Sequence, residues 1–222
     1  MPEPAHEQFA DTSVMPEVRG FLHRPSNPNG SGIVLTHGAG ANCRTELLRD
    51  LSEAFAGAGF MVLRVDLPFR QKRPTGPPGR GDAKTDQLGL TNAVDALKKS
   101  GAKKLFLGGH SYGGRQATML CAAEPGLVDG LLLLSYPLHP PMKPAELRTQ
   151  HFPQLQTPAM FVHGSRDGFG SLNEMESALK LIPAKTRLCP IESAGHDLKN
   201  KTDVARRVVS AFAEFVFNML GS

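Results

Sequence analysis

The sequence contains few cysteines, no dense basic block and no long apolar run, and each absence excludes a class of protein. The three cysteines, Cys43, Cys121 and Cys189, lie far apart, and no two have C-x-x-C spacing. They therefore indicate neither a disulfide framework nor a zinc site, and they favour a reducing compartment. The longest apolar stretches, such as residues 130–134, are far too short to span a bilayer.

The N-terminus and the overall charge exclude further classes. The opening MPEPAHEQFADTS is acidic and polar, without the basic start and apolar centre of a signal peptide. The net charge is only +4, which does not require nucleic acid as a partner. We therefore expect a cytoplasmic protein whose partner is a small molecule, and neither nucleic acid nor a membrane. Residues 1–15 are expected to be a flexible segment and residues 16–222 a single domain, with the oligomeric state left open.

Strand patterns and helix patterns alternate along the chain. The pattern predicts a doubly wound, mostly parallel α/β sheet with helices on both faces and no large cap domain. The run at residues 131–135 lacks polar alternation, as expected for a central strand covered on both faces. The predicted strands lie at residues 17–23, 33–36, 60–65, 104–107, 131–135, 158–162 and 186–190. The predicted helices lie at residues 45–58, 82–99, 115–123, 172–181 and 203–220.

One apolar run stops abruptly at GHSYG, residues 109–113, which matches the pattern G-x-S-x-G. In this pattern the serine occupies a tight turn between a strand and a helix, where side chains at the flanking glycines would clash. Ser111 is therefore a candidate nucleophile. An ordinary glycine-rich connection fits the same five residues, so the partners of the serine must be sought elsewhere in the chain.

The candidate partners follow later strands of the predicted sheet. Ligands of such sheets bind where the carboxyl ends of parallel strands point. Asp167 follows one of these strands, and it is not needed as a helix cap because Ser171 and Glu174 form a capping box. His196 is the only histidine after the last predicted strand, which makes it the candidate general base with Asp167 orienting it. Considered alone, Asp167 could equally be a turn residue, and His196 could equally be a solvent-exposed loop residue.

A second glycine-rich turn supplies candidate donors for an oxyanion. The motif HGAG at residues 37–40 follows an early strand, where His37 is expected to hold the loop. We assign the oxyanion hole to the backbone N–H groups of Ala39 and Tyr112. The turn lacks the spacing of a phosphate-binding loop and the third glycine of a dinucleotide fingerprint. We therefore expect no cofactor and no metal.

Two loops at the same predicted edge provide candidates for substrate binding. The proline-rich loop at residues 67–81 carries Arg70, Lys72, Arg73 and Arg80, which either attract an anionic substrate or are merely solvated. From this loop we assign Arg73 to the substrate. The segment after residue 135 supplies the other substrate-binding candidates: Tyr136, Leu138, His139 and Met142.

The motifs HGAG, GGHSYGG, GSRDGFGS and AGHDLK, in this order and spacing, resemble those of the α/β-hydrolase superfamily. They look most like its small capless members of the dienelactone-hydrolase type. The resemblance implies a triad of Ser111, Asp167 and His196 that works through an acyl-enzyme. Dienelactone hydrolases carry a cysteine nucleophile, so their lactone specificity is not implied. The expected activity is cleavage of a small carboxylic ester or thioester, with an amide or peptide substrate as the alternative.

A third possibility belongs to another class of function. The segment SYPLHPPMKPAELR resembles a little-characterised branch of small hydrolase-like proteins whose members need not be enzymes. A fold match alone does not establish turnover, so a binding or scaffold protein with the hydrolase fold remains an alternative. The complete set of candidate residues favours the enzyme.

Overall fold

A computed structural model of the chain describes residues 6–200 and 203–220. The strands in these residues are β1 (His6–Asp11), β2 (Val18–His23), β3 (Ser31–Thr36), β4 (Met61–Val65), β5 (Lys104–His110), β6 (Gly130–Leu134), β7 (Ala159–Gly164) and β8 (Thr186–Ile191). The α-helices are α1 (Glu46–Gly57), α2 (Pro68–Lys72), α3 (Asp82–Lys99), α4 (Tyr112–Ala123), α5 (Leu172–Leu179) and α6 (Val204–Leu220), with a 3-10 turn at Phe152–Gln154.

These strands form one eight-stranded sheet in the order β1-β2-β4-β3-β5-β6-β7-β8. β2 runs antiparallel to both β1 and β4, and the strands from β4 to β8 are mutually parallel. The chain winds outward in both directions from the centre of the sheet. This arrangement confirms the predicted doubly wound, mostly parallel α/β fold.

Side chains of the central strands alternate between two apolar layers, one on each face of the sheet. In β5, Leu105 and Leu107 belong to the layer that includes α3, α4 and α5, whereas Phe106 belongs to the layer that includes α1 and α6. Every residue of β6 is buried. The apolar run of β6 lacks polar alternation because both of its faces are covered.

An aromatic cluster ties the two helices of the second layer to the strand that precedes Ser111. The rings of Phe55 in α1 and Phe212 in α6 pack edge to face, with centroids 5.7 Å apart. Phe106 of β5 lies 5.3 Å from Phe212 in the same geometry. Burial of each phenylalanine contributes roughly 1.5–3 kcal/mol to folding, so this cluster holds β5 against the two helices.

The N-terminal segment differs from the prediction. Residues 6–11, which the sequence places in a flexible segment over residues 1–15, form β1 and pair with β2 in register from His6↔His23 to Asp11↔Val18. Residues 1–5 lie outside the described residues. β1 is an exposed edge strand with mostly polar residues. β1 is held in the sheet by backbone hydrogen bonds. Because these bonds do not depend on the side chains, the strand leaves no hydrophobic pattern in the sequence.

The two long connections contain little regular structure. The proline-rich loop, predicted to lack periodicity, contains α2, whose five residues are too few to show a helical repeat. Pro68 occupies the start of this helix, where its missing N–H costs nothing. Between residues 135 and 158 the 3-10 turn is the only helix, and no cap domain covers the sheet edge. None of the helices in the described part of the chain has the length and apolar character needed to cross a bilayer.

Candidate active site

Ser111 lies on the turn between β5 and α4, in a backbone conformation that side chains rarely adopt. Its φ is 50° and its ψ is −113°, and holding a non-glycine residue there costs about 1–3 kcal/mol. A Cβ atom on Gly109 would lie 2.6 Å from the carbonyl carbon of Gly113, and one on Gly113 would lie 2.6 Å from the oxygen of His37. The two glycines are therefore required by close backbone contacts, as the G-x-S-x-G pattern predicts.

The structure brings Ser111, His196 and Asp167 into one hydrogen-bonded chain. The Nε2 atom of His196 lies 2.8 Å from the Oγ atom of Ser111. The Nδ1 atom of the same ring lies 2.8 Å from Oδ2 and 3.0 Å from Oδ1 of Asp167. With Nδ1–H donating to the carboxylate, Nε2 is left as an acceptor for the serine proton. This is the arrangement a general base needs.

Asp167 is held as an ion in a buried position. Its side chain is fully buried, and its Oδ1 atom accepts the N–H of Phe169 at 2.9 Å. Burial tends to raise the pKa of Asp167, but the hydrogen bonds from His196 and Phe169 outweigh it, and the pKa is lowered overall. Ser171 caps α5 through a capping box with Glu174, as predicted, which leaves Asp167 free to orient the imidazole.

Two aromatic rings hold the loop that carries His196. The ring of Phe169 stacks on the imidazole with 4.1 Å between centroids. The Nε2–H of His110 donates to the backbone oxygen of His196 at 2.8 Å. Burial lowers the pKa of His110, so its neutral form is favoured. No local motif in the sequence indicates this role for His110, because its acceptor lies in a loop 86 residues away.

Of the two predicted oxyanion donors, Tyr112 follows Ser111 in the chain, and Ala39 belongs to a turn that lies close to the serine. Tyr112 is the first residue of α4, where backbone N–H groups have no partner within the helix and the helix dipole is positive. A Cβ atom on Gly38 would lie 3.4 Å from the Cβ of Ser111, so the peptide between Gly38 and Ala39 directly adjoins the serine. The oxygen of Gly38 accepts the N–H of Ala41 at 3.1 Å. The Ala39 N–H, antiparallel to that carbonyl in a trans peptide, points away from this turn.

His37 fixes this turn from inside, as the sequence predicts. Its Nδ1–H donates to the oxygen of Gly38 at 2.9 Å, and its Nε2 accepts the N–H of Leu67 at 3.1 Å. The side chain is completely buried, and burial lowers its pKa. The neutral His37 side chain therefore links the loops that follow β3 and β4 through hydrogen bonds.

Arg70 has a role that the sequence does not reveal. The sequence offers it as a cation that attracts an anion or is solvated, yet only 6% of the residue is exposed. Its guanidinium donates to the backbone oxygens of Ala41 at 2.7 Å, Ala39 at 2.8 Å, Gly76 at 2.9 Å and Arg73 at 3.0 Å. All four acceptors belong to the backbone of the loops after β3 and β4.

Most residues predicted to bind the substrate have other positions in the structure. Tyr136 and Leu138 are fully buried in the core, and the Tyr136 hydroxyl donates to the oxygen of Arg148 at 2.6 Å. The chain turns into the apolar layer directly after β6, and this takes both large side chains out of reach of a ligand. The prediction that these two residues line a pocket is therefore wrong.

The remaining candidates for substrate binding are held by other groups or point into solvent. His139 is only 6% exposed and lies 2.8 Å from the oxygen of Pro140 through Nδ1. Met142 is 95% exposed at the tip of its loop. Arg73 is half exposed and forms an ion pair with Asp82 at the start of α3. None of these contacts gives His139, Met142 or Arg73 a substrate-binding position.

A cleft of about 690 Å³ opens beside two segments. One is the turn at residues 37–41, called here the oxyanion turn, and the other is the loop after β8 that carries His196, called here the histidine loop. It lies next to His110, the neighbour of Ser111. Its apolar wall includes Ala41, Leu47 and Leu198, and carboxylates of α1 and of the histidine loop stand at its rim. Ser111, Asp167 and His196 do not themselves line the cleft, which borders the hydrogen-bonded chain through His110 and Asp197.

The cysteines and the other ionisable groups suggest no second reactive centre. Cys43, Cys121 and Cys189 are free and buried. Burial raises the pKa of the Cys43 and Cys121 thiols to about 12, so neither is a ready nucleophile. Within residues 6–200 and 203–220, no cluster of three or more His, Cys, Asp or Glu side chains is arranged to hold a metal ion.

The chain matches a known protein family and is similar in fold to several solved structures. Residues 29–218 match a family model described as an alpha/beta hydrolase domain. The fold is similar to that of a dienelactone hydrolase from Anabaena variabilis, with 20% identity and a TM-score of 0.73 over 98% of this chain and 99% of that one. Est1E from Butyrivibrio proteoclasticus is similar at 16% identity and a TM-score of 0.74, over 98% of this chain and 99% of that one.

A third similar structure is an alpha-beta serine hydrolase homologue from Coxiella burnetii. It has 16% identity and a TM-score of 0.70, over 96% of each chain. Identities this low show a common fold and do not transfer a substrate.

Proposed function

Because the chain belongs to the α/β-hydrolase family, we propose that it is a serine hydrolase that cleaves a small carboxylic ester or thioester through an acyl-enzyme. The observation that carries the proposal is the hydrogen-bonded chain of Ser111, His196 and Asp167, with 2.8 Å between the serine and the imidazole. The strained turn at Ser111 and the donors on either side of it support the same assignment.

In the first half of the proposed reaction, the Oγ atom of Ser111 attacks the carbonyl carbon while Nε2 of His196 takes its proton. The carbonyl oxygen becomes an oxyanion, which the N–H groups of Ala39 and Tyr112 stabilise. Asp167 stabilises the imidazolium that forms. The tetrahedral adduct then collapses as His196 returns the proton to the leaving alcohol or thiol, and the acyl group stays on Ser111.

In the second half, water takes the place of the leaving group. His196 removes a proton from the water, which attacks the acyl carbon and forms a second oxyanion in the same hole. Collapse of this adduct breaks the bond to the Oγ atom of Ser111 and returns the proton to it. The carboxylic acid leaves, and the enzyme is restored with no external oxidant, reductant or metal in the balance.

The open architecture argues for a small substrate. The connection after β6 forms no cap domain, and the neighbouring cleft measures about 690 Å³. A cleft of this volume takes a small ligand, although Ser111 does not line it. Because no cap encloses a long chain at this edge, we expect short esters or thioesters to suit the site better than long lipids.

The proposal is tested with a short-chain 4-nitrophenyl ester and a fluorophosphonate label. We expect a burst of nitrophenol and stoichiometric labelling of Ser111, and loss of both in Ser111→Ala. Equal turnover in Ser111→Ala would contradict the mechanism. A folded wild-type protein that neither turns over nor labels would favour the scaffold function instead, and labelling with turnover of amides alone would favour the peptide or amide hydrolase.

A further inference from the structure

We propose that Arg70 is a positioning residue of the oxyanion hole, holding Ala39 in the conformation that presents its N–H to the reacting carbonyl oxygen. This inference rests on the proposed function and deepens it, because it gives the basic loop a task inside the site. The guanidinium acts through the backbone and touches no substrate atom.

The first step of the argument is the set of acceptors that Arg70 satisfies. A guanidinium presents five N–H groups in a planar fork. Four of its hydrogen bonds go to backbone oxygens, two in the oxyanion turn and two in the segment that follows α2. With 6% exposure, these bonds replace the water that a buried cation would otherwise lose. Arg70 therefore cross-links the loops after β3 and β4.

The second step concerns the two peptide groups on either side of Ala39. The Gly38 carbonyl, which belongs to the same peptide as the Ala39 N–H, is held by His37 at 2.9 Å and by the Ala41 N–H at 3.1 Å. The Ala39 carbonyl, which belongs to the next peptide, is held by Arg70 at 2.8 Å. With both peptide planes fixed, the φ and ψ angles of Ala39 are fixed as well.

The third step is the freedom that this turn would otherwise have. Ala39 stands between Gly38 and Gly40, and a Cβ atom on Gly40 would meet nothing within 4 Å. Glycine gives a backbone more accessible conformations than any other residue. His37 and the Ala41 N–H hold the first of the two peptides, and Arg70 holds the carbonyl of the second. Without Arg70, the second peptide would lose that bond beside a flexible glycine.

The fourth step is the rigidity of the element that carries Arg70. Phe69 of α2 is buried, and its N–H donates to Asp86 at 2.9 Å. Gln71 donates to the backbone oxygens of Asp66 at 2.8 Å and Glu17 at 3.1 Å. α2 is thus attached to α3 and to the chain before β2, and the guanidinium projects from a fixed base.

The test compares Arg70→Met and Arg70→Lys with a control, Lys72→Met, which removes an exposed cation from the same helix. Kinetics with a short 4-nitrophenyl ester are measured together with inhibition by a trifluoromethyl ketone. The hemiketal of that ketone with Ser111 places an oxyanion in the hole, whereas the ground-state ester does not. Circular dichroism checks that each variant is folded.

We expect Arg70→Met to lower kcat by about 100-fold, the order of effect seen when an oxyanion donor is lost or displaced. KM should stay within about two-fold, because the hole binds the transition state and not the ester. Affinity for the ketone should fall by the same factor as kcat/KM. The kcat of Arg70→Lys should lie between those of the wild type and Arg70→Met, and the kcat of Lys72→Met should match the wild type.

The proposal is overturned if folded Arg70→Met binds the ketone as tightly as the wild type, or if the loss is in KM alone. Should Arg70→Met fail to fold, Arg70→Lys makes the same comparison. Amide hydrogen exchange over residues 38–42 provides a readout without turnover, and we expect it to be faster in Arg70→Met. If the wild type neither labels nor hydrolyses esters, the proposed function fails. If hydrogen exchange of these amides is unchanged in Arg70→Met, the positioning role of Arg70 is refuted.

Discussion

The imidazole of His196 reaches the hydroxyl of Ser111 at 2.8 Å although the two residues are 85 positions apart. β5, which precedes Ser111, and β8, which precedes His196, are not neighbours, because β6 and β7 lie between them. The histidine loop therefore crosses the carboxyl ends of two strands to reach the serine. Its placement depends on contacts made along the way, and these contacts are the first targets for mutation.

Replacing Asp167 by Asn should leave the packing almost unchanged and remove the acceptor that selects the imidazole tautomer. We expect kcat for ester hydrolysis to fall by about 10³–10⁴-fold, with a parallel fall in the rate of fluorophosphonate labelling. Asp95→Asn is the matched control, since it makes the same change at an exposed carboxylate of α3. If both variants retain wild-type labelling rates, Asp167 has no part in activating the serine.

Replacing His110 by Phe should keep a ring in place and remove the bond to the backbone oxygen of His196. The histidine loop then loses this hydrogen bond and keeps the ring contact with Phe169. We expect kcat to fall by about 10- to 100-fold, as small displacements of reacting groups do, with KM little changed. His6→Phe, on the far edge strand, is the control, and an unaltered kcat in His110→Phe would show that the stack on Phe169 is sufficient.

Gly113→Ala tests the close contact on which the serine turn depends. The added Cβ would lie 2.6 Å from the backbone oxygen of His37, and overpacking of this kind costs about 1–3 kcal/mol or more. Gly57→Ala makes the same chemical change at the end of α1, where a Cβ meets nothing within 4 Å, and should stabilise by about 0.4–1 kcal/mol. Urea titration measures both, and equal unfolding free energies would contradict the contact.

The buried His23 predicts how stability responds to pH. Burial, with Arg64 adding to it, lowers the pKa of His23 to about 4, whereas an unfolded histidine titrates near about 6.5. Between these values the unfolded chain binds more protons than the folded one. The free energy of unfolding should therefore decrease as the pH falls from about 6.5 towards 4, by at most roughly 3 kcal/mol from this residue.

His23→Gln separates this contribution from those of other groups. Glutamine keeps an oxygen for the Nε–H of Arg64, which His23 now accepts at 2.9 Å, and it does not titrate. The unfolding free energy of the variant should depend less steeply on pH over this range. His151, whose pKa burial also lowers to about 4, should account for part of the slope that remains. An unchanged slope would contradict the assignment to His23.

The three residues of the hydrogen-bonded chain could be brought together from the sequence because each is placed directly after a strand. Ser111, Asp167 and His196 each follow a strand of a parallel sheet, and such positions meet at one edge whatever the loops do. The capping box of Ser171 and Glu174 freed Asp167 from a competing role, and the structure contains that cap. The alternation of strands and helices predicted the architecture because it is a property of the chain order and does not depend on the paths of the loops.

Residues whose role depends on tertiary partners were beyond the sequence. Nothing near Arg70 indicates that its guanidinium turns inward, because two of its four carbonyl acceptors belong to a turn about 30 residues away. Tyr136 and Leu138 follow a central strand, as site residues do, yet the path of the chain after β6 buries both. β1 escaped detection because its edge position leaves its side chains in water.

The connection between β6 and β7 has a consequence for how new specificities arise. Its base is closed by a bond from the Tyr136 hydroxyl to the oxygen of Arg148 at 2.6 Å and by another from the Arg148 N–H to Leu138 at 2.8 Å. The tip, residues 141–147, lies in solvent. Exposed tips with anchored ends tolerate inserted sequence. A module inserted at this tip would leave the closed base of the connection undisturbed, so this loop is the natural place to add a covering element that the fold itself lacks.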